Sequence, residues 1–434
     1  MTNLPENWCI CCLSEIASLI RGVSYDKSDL GIEDSTHICL LRANNIQDGN
    51  IIYDDVQHVS SSVIDSLQNM KKFDILIAMS SGSKNLVGKT AQYLRNERDI
   101  TFGAFCSVVR PDKNINPIFL GKFFQTNTYR KIVSGISKGV NINNLKNSHI
   151  NNLSIPFPPL AEQGRIVAKI EELFAGIDAG VENLKSVKNQ IALYRQSVLK
   201  SAFDNQTKKE MLKNFIIEIN YGTSEKTNDD ASGIPVLRMG DIQNGKIQFN
   251  KLKYLKKITD KKLLLQKGDM LFNRTNSAEL VGKSAVFNSD FVCSFASYLI
   301  KVRFSEKLNS DYVCFYINSP YGKAWAKTQL TQQVGQANIN SQKLQALQIP
   351  VPTLAEQERI VAEIESRFER ADALESAVDR ALNDAEKLKQ AVLKKAFSGE
   401  LVPQNPDDEP ASVLLDRIRA ARASELSAKK GKRK

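Results

Sequence analysis

Long apolar runs are missing. No stretch of the 434 residues approaches the ~18 uncharged apolar residues of a membrane span, and Met1 to Ile20 has no basic segment ahead of an apolar run. Neither a span nor a secretory leader is expected, which places the chain in the cytoplasm, away from membranes. Histidine is scarce, with His37, His58 and His149 alone. The seven cysteines are scattered and odd in number, so reduced thiols are expected. The Cys9-Ile10-Cys11-Cys12 cluster lacks the further ligands a zinc ion needs, and no metal site is expected. There is no His-Glu-x-x-His helix and no glycine-rich strand-turn-helix for a dinucleotide or methyl donor. The Pro158-Pro159 pair lacks the preceding asparagine of the Asn-Pro-Pro-aromatic signature of amino-methylating enzymes. No catalytic site emerges. With 42% hydrophobic and 25% charged residues, 13 Pro and 22 Gly, collagen-like and wholly disordered chains are excluded.

What is present begins with charge. The formal net charge is +11, and Asp416 to Lys434 holds eight basic against two acidic residues. The remainder is mildly basic. That suits a polyanion partner, but is weaker than expected of a protein that holds nucleic acid alone; a solvated tail reads equally well.

The dominant feature is a tandem repeat. Ile155-Pro156-Phe157-Pro158-Pro159-Leu160-Ala161-Glu162-Gln163 recurs as Ile349-Pro350-Val351-Pro352-Thr353-Leu354-Ala355-Glu356-Gln357, an offset of 194. Across Ile155 to Phe203, 23 of 49 positions are identical to those of Ile349 to Phe397. Upstream the repeat loosens: Val87-Gly88-Lys89-Thr90 answers Val281-Gly282-Lys283-Ser284, and Leu41-Arg42 answers Leu237-Arg238 at an offset of 196. Five segments follow: a variable block (1–154), a repeated helix (155–203), a second variable block (204–348), a second repeated helix (349–399) and a basic tail (400–434).

The repeated segments predict long helices. Apolar residues at Ile166, Ile170, Leu173, Ile177, Leu184, Val187, Ile191, Tyr194 and Val198 step by mostly four and three, a heptad seam. Ile360, Ile364, Ala371, Val378, Ala381, Ala385, Leu388 and Val392 repeat it. Thr353 and Glu356 suggest a capping box, and Phe397-Ser398-Gly399 a stop. Leu160 to Phe203 corresponds to roughly 65 Å of helix at ~1.5 Å per residue. Chain order then favours an antiparallel coiled coil related by a pseudo-two-fold axis, with two independent dimerisation arms as the alternative. The variable blocks read as mixed α/β: strands at Ile75 to Met79 and Tyr298 to Val302, turns at Gly49-Asn50 and Asn244-Gly245, and short helices over Phe119 to Ile132 and Ser310 to Leu330. A basic amphipathic helix is expected in the tail, with Val413, Leu414, Ile418 and Ala421 on its apolar face.

Gly82 to Thr90 resembles a phosphate loop, but five residues separate its glycines instead of four, and the second repeat lacks the earlier glycine. What survives, Lys89 or Lys283 beside a small hydroxyl residue, suits phosphate contact as well as a solvated turn. Three pairs of amide- and arginine-rich loops occupy matching places. Arg42, Asn44, Asn45 and Gln47 answer Arg238 and Gln243; Ser81 and Lys84 answer Arg274 and Asn276; Lys138 and Asn141 answer Gln336 and Asn338. Arginine can pair with guanine, and asparagine or glutamine with adenine.

The twice-occurring Ile-Pro-x-Pro-x-Leu-Ala-Glu-Gln-x-x-Ile-Val segment, the duplicated layout, the Leu4-Pro5-Glu6-Asn7-Trp8 opening and the basic Lys429-Lys430-Gly431-Lys432-Arg433-Lys434 end resemble the specificity subunit of type I restriction-modification enzymes. The resemblance covers essentially the whole chain. It implies an α+β fold with two mixed α/β target recognition domains separated by two long antiparallel helices. It also implies a subunit without catalysis of its own that reads an asymmetric, split sequence in double-stranded DNA. Two modification subunits would dock on it and methylate adenine N6 with S-adenosylmethionine; restriction (motor-nuclease) subunits would join them with ATP and Mg. No cofactor is expected in this subunit. The rival from another class is a structural coiled-coil adaptor whose terminal domains bind protein.

Overall fold

The computed structural model describes residues 4–82, 86–95, 99–138, 144–204, 208–258, 260–277, 281–329, 331–333 and 336–431. The chain divides into two compact units, Met1–Glu182 with Leu382–Lys434, and Asn183–Ala381.

In the first unit, a continuous apolar run makes the central strand, Ile75–Ala78, with all four residues buried. Successive strand side chains point to opposite faces, so Ile75 and Ile77 enter one core while Leu76 and Ala78 enter another. Around it forms a four-stranded antiparallel sheet in the order Ala17–Arg21, Cys106–Pro111, Ile75–Ala78, Thr90–Gln92. A second sheet holds Ile100–Phe102 parallel to His37–Leu41, followed by Gln57–Ser60 and Leu30–Gly31. Cys9–Cys12 pairs with Ser154–Phe157 in register Cys11 to Ile155.

The second unit repeats this scheme. Its four-stranded sheet runs Ile216–Tyr221, Leu299–Phe304, Asp269–Asn273, Ser284–Phe287. Ile234–Leu237 runs parallel to Ser294–Phe295, and Lys209–Met211 pairs with Gln348–Pro350. Both units bury the same ion pair beneath the main sheet: Arg110 on Asp74 (2.7 Å) and Arg303 on Asp269 (2.7 Å), each aspartate almost fully covered. The seven cysteines are free thiols, and no helix among the described residues is long and apolar enough to cross a membrane.

The two long helices span Leu160–Phe203 and Leu354–Ser398, and Gly399 ends the second with φ +77°, a value glycine adopts without a Cβ penalty. They are antiparallel in each unit. In the first, Ile166 and Ile170 pack with Val392, Leu393 and Ala396, and Lys389 bridges to Asp178. In the second, Lys188 meets Asp379 at 2.7 Å, Arg195 meets Asp372 and Glu375, and Val198 to Phe203 pack with Ile360 to Ile364. Parts of the expected seam fail. Tyr194 and Leu388 are 45% and 53% exposed, because two helices cover only one stripe of each other. Thr353 Oγ1 accepts the Glu356 N–H at 3.4 Å, but the Glu356 carboxylate turns to Arg359, so the reciprocal half of the capping box is not made.

Each expected short helix is two helices. Pro117–Phe123 and Asn127–Lys138 meet at Thr126, whose hydroxyl accepts the Tyr129 N–H. Ser310–Asn318 and Pro320–Gln329 meet at Ser319, whose hydroxyl accepts the Tyr321 N–H. The tail forms a helix, Ala411–Gly431, on the first unit. Leu414, Leu415 and Ile418 are buried there while Val413 stays 49% exposed, so Leu415 takes the place expected of Val413.

Candidate nucleic-acid interface

Hairpins organise the first pair of loops. Ile46–Gln47 pairs with Asn50–Ile51 across Asp48-Gly49, and Ile242–Gln243 with Lys246–Ile247 across Asn244-Gly245. All four turn residues have positive φ, from +47° to +78°, the type I′ geometry that Asp-Gly and Asn-Gly supply. The first turn is therefore Asp48-Gly49, not Gly49-Asn50. Ahead of each hairpin, an arginine is anchored in the same way. Arg42 N–H donates to Asn45 Oδ1 and its Nη2 to the Asp55 carbonyl (3.2 Å); Arg238 N–H donates to Asp241 Oδ2 and its Nη2 to the Lys251 carbonyl (3.1 Å). The Nε of each is buried with no hydrogen-bond partner.

Asn45 cannot reach a base. It is 2% exposed, its amide donates to the carbonyls of Ile52 and Asp55, and its oxygen holds the Arg42 backbone; it is a brace of the loop. Asn44 is exposed and donates to Asp55 Oδ2 (2.9 Å). Gln47 and Gln243 are exposed on the hairpins, each donating to a carbonyl three residues back, of Asn44 and Gly240.

In the first unit Arg42, Asn44 and Ser81 line one concavity of about 710 Å³ together with Tyr25, Gln57 and Phe105. In the second unit Arg274 lies over the Tyr221 ring (4.8 Å to the centroid) and donates from Nη1 to the Ser297 carbonyl, while its Nε is buried without a partner. Thr275–Asn276 pairs with Gln336–Asn338, joining the second and third loops, and the Asn338 Oδ1 is buried without a partner. Lys84 and Asn141 lie outside the described residues, as do the side chains of Lys138, Asn276 and Gln336.

Lys89 and Lys283 depart from the grouping. Each follows a glycine with φ +72° or +89° and enters a strand instead of the helix a phosphate loop requires. Tyr129 Oη donates to the Gly88 carbonyl and Arg130 Nη1 to that of Val87, so the first turn sits over a helix. Lys89 lines a different cleft, with Asp48, Gln125 and Arg130. Lys283 lies close enough to Lys323 that, after burial, its charge helps lower the Lys323 ammonium pKa.

Sequence reasoning missed an aromatic pair. Phe105 and Tyr298 occupy the same turn of each unit and are 71% and 50% exposed. The Phe105 carbonyl accepts the N–H of Met79 and Ser80, and that of Tyr298 accepts the N–H of Arg274. The signal was available in Phe102-Gly-Ala-Phe105 against Phe295-Ala-Ser-Tyr298, an offset of 193.

Comparison with known proteins matches this duplicated arrangement twice. The family described as type I restriction modification DNA specificity domain fits residues 5–189 and again 198–383. The chain belongs to the type I restriction enzyme specificity subunits. The EcoKI specificity subunit of Escherichia coli K12 is 33% identical over 462 residues, spanning 100% of this chain and 99% of that one. The StySPI specificity subunit of Salmonella potsdam is 33% identical, spanning 97% and 96%. A solved chain described under "Structural basis underlying complex assembly and conformational transition of the type I R-M system" shares the fold, with TM-score 0.69, 20% identity and coverage of 92% of this chain and 100% of that one. As a specificity subunit this chain carries two target recognition domains, one in each unit.

A further pair explains the repeated Glu-Gln segment of the chain. Gln163 and Gln357 are fully buried. Gln163 Oε1 accepts the Asn116 N–H (2.9 Å) and Gln357 Oε1 the Asn309 N–H (2.9 Å). Asn116 and Asn309 are the N-caps of short helices, so each glutamine fastens a recognition domain to the start of a long helix. The preceding Glu162 is buried and accepts from Trp8 and Gln404, whereas Glu356 is half-buried and pairs with Arg359.

Proposed function

We propose that the chain reads a split, asymmetric DNA target, one half-site per recognition domain, without catalysis of its own. One observation carries this reading: the two domains share backbone anchors but present different side chains. The N–H of Met79 and that of Arg274 bond the equivalent carbonyls of Phe105 and Tyr298, yet the Met79 side chain is buried in the core whereas the Arg274 guanidinium lies over the Tyr221 ring. Asn44 corresponds to Gly240 in the repeat, and Asp55 to Lys251. A common frame with divergent heads suits two readers of different sequences, because groove contacts by individual side chains discriminate bases. Arg42, Asn44, Ser81, Arg274 and Asn338 are the readers best placed, with Gln47, Gln243, Arg238, Lys89 and Lys283 toward base edges or phosphates.

In this reading two modification subunits dock on the chain and methylate adenine N6 from S-adenosylmethionine, and restriction subunits use ATP and Mg to cleave unmodified DNA. Supporting it is the family membership. The test is methylation of a randomised duplex library by the chain reconstituted with modification subunits, followed by sequencing. Two short fixed blocks separated by a non-specific gap are expected, and no methyl transfer by the chain alone. One contiguous motif, or methyl transfer by the isolated chain, refutes the proposal.

A further inference from the structure

The two recognition domains differ sharply in charge. Residues 1–154 hold sixteen basic and fourteen acidic residues, whereas 204–348 hold twenty-one and thirteen. The excess concentrates in one segment, where Lys251, Lys253, Lys256, Lys257, Lys261, Lys262 and Lys267 fall within seventeen positions. Lys253 pairs with Asp229 and Lys267 approaches Asp290 at 3.9 Å. Among the described residues the other five have no carboxylate partner, and all five are exposed.

The segment starts at the candidate interface. The Lys251 carbonyl receives Arg238 Nη2, and Lys253–Leu255 then pairs antiparallel with Ile234–Leu237, Lys253 opposite Val236. From there it leads away from the Arg238 loop. The six rises from Lys251 to Lys257 reach at most roughly 20 Å at ~3.3 Å each, about six base pairs at ~3.4 Å each. Its later part is fixed from below. Lys301, 1% exposed in mid-strand, donates from Nζ to Glu218 and to the carbonyls of Lys262 (2.8 Å) and Leu264 (3.4 Å). The first unit has Val108 at the corresponding position of its sheet, and Asp55 where the second has Lys251.

We infer that Lys251, Lys256, Lys257, Lys261 and Lys262 form a surface of the second recognition domain that binds the sugar-phosphate backbone of duplex DNA flanking that domain's half-site, with no equivalent on the first. The inference rests on the DNA-reading function proposed above. Exposed ammonium groups on a pinned backbone suit phosphates as point charges, and they carry no amide that would read a base. Affinity then depends on salt mainly through the second domain, since each neutralised phosphate steepens the salt slope by ~0.9.

The experiment uses the full chain in complex with modification subunits and a fluorescent duplex bearing the mapped target. Affinity is measured from about 50 to about 200 mM salt. K256Q/K257Q/K261Q/K262Q is expected to flatten the log–log slope by about 3 to 4, and the matched arginine variant to restore it. Trimming the flank beside the second domain's half-site should weaken the wild-type complex and leave the glutamine variant unchanged. The first-domain control K71Q/K72Q should change the slope by less than the quadruple variant. An unchanged slope with target methylation intact overturns the inference and leaves the reading function standing. Loss of assembly at an unchanged slope gives the surface to a protein partner, which also overturns it. Wild-type complex that methylates without sequence preference sinks the reading function itself.

Discussion

Arg42 donates through Nη2 to the Asp55 carboxylate at 3.0 Å, so the guanidinium best placed in the first domain's concavity is already neutralised. The carboxylate is 77% exposed, and such surface pairs contribute only ~0–1 kcal/mol. D55N keeps the bond from Arg42 to the backbone carbonyl and removes the competing charge. Target affinity of the assembled complex should rise about two- to fivefold at low salt, with a steeper salt dependence. Fluorescence anisotropy measures it; weaker binding would show that Asp55 positions Arg42 productively.

Gln163→Ala and Gln357→Ala each remove the buried partner of a half-buried N-cap N–H, that of Asn116 or Asn309. An unsatisfied buried donor costs about 1–3 kcal/mol. Each substitution should lower the denaturation midpoint of its own unit and leave the other nearly unchanged, as read by calorimetry with unit-specific fluorescent labels. A loss under about 0.5 kcal/mol would mean that water replaces the amide.

Ending the chain at Pro410 removes Leu414, Leu415 and Ile418 from the first unit's core, along with the Arg419–Glu15 pair. Each of those apolar side chains contributes about 1.5–3 kcal/mol when fully buried. Amide exchange should accelerate in Cys9–Cys12 and Leu13–Ile16, while the methylated target sequence stays the same. A changed target would assign the tail a reading role.

The Arg165 guanidinium hydrogen-bonded to Asp408 holds that carboxyl below its usual range. A depressed folded-state pKa contributes stability that is present above the unfolded value, near ~4, and lost as pH falls through the folded value. The melting-temperature gap between wild type and D408N should be constant above about pH 5 and close below about pH 4. A gap that persists at the acid end would mean that shape, not charge, holds the contact.

Exchanging residues 1–154 for the first block of another specificity subunit should alter one half-site and leave the other, since each domain has its own cores. Methylation mapping decides it, and simultaneous change in both halves would contradict separate reading.

Much of the fold was legible in the residues because it rests on local regularities. The 194-residue offset marked the duplication, three-and-four spacing marked helices whose ends coincide with Leu160, Phe203 and Leu354, and apolar runs marked strands such as Ile75–Ala78. Backbone hydrogen bonding and side-chain period are set within a few neighbours. Which polar residues face outward was not so set. Asn44 and Asn45 are adjacent amides, yet one is exposed and the other sealed by the carbonyls of Ile52 and Asp55. Lys89 matched a phosphate-contact composition, yet the left-handed Gly88 turns it over a helix. Gln163 stood out only as part of the repeated motif, and its role appeared once folding brought the Asn116 N–H, 47 positions away, to its oxygen. Burial and pairing depend on partners distant in sequence, and those meet only once the sheets and long helices have packed.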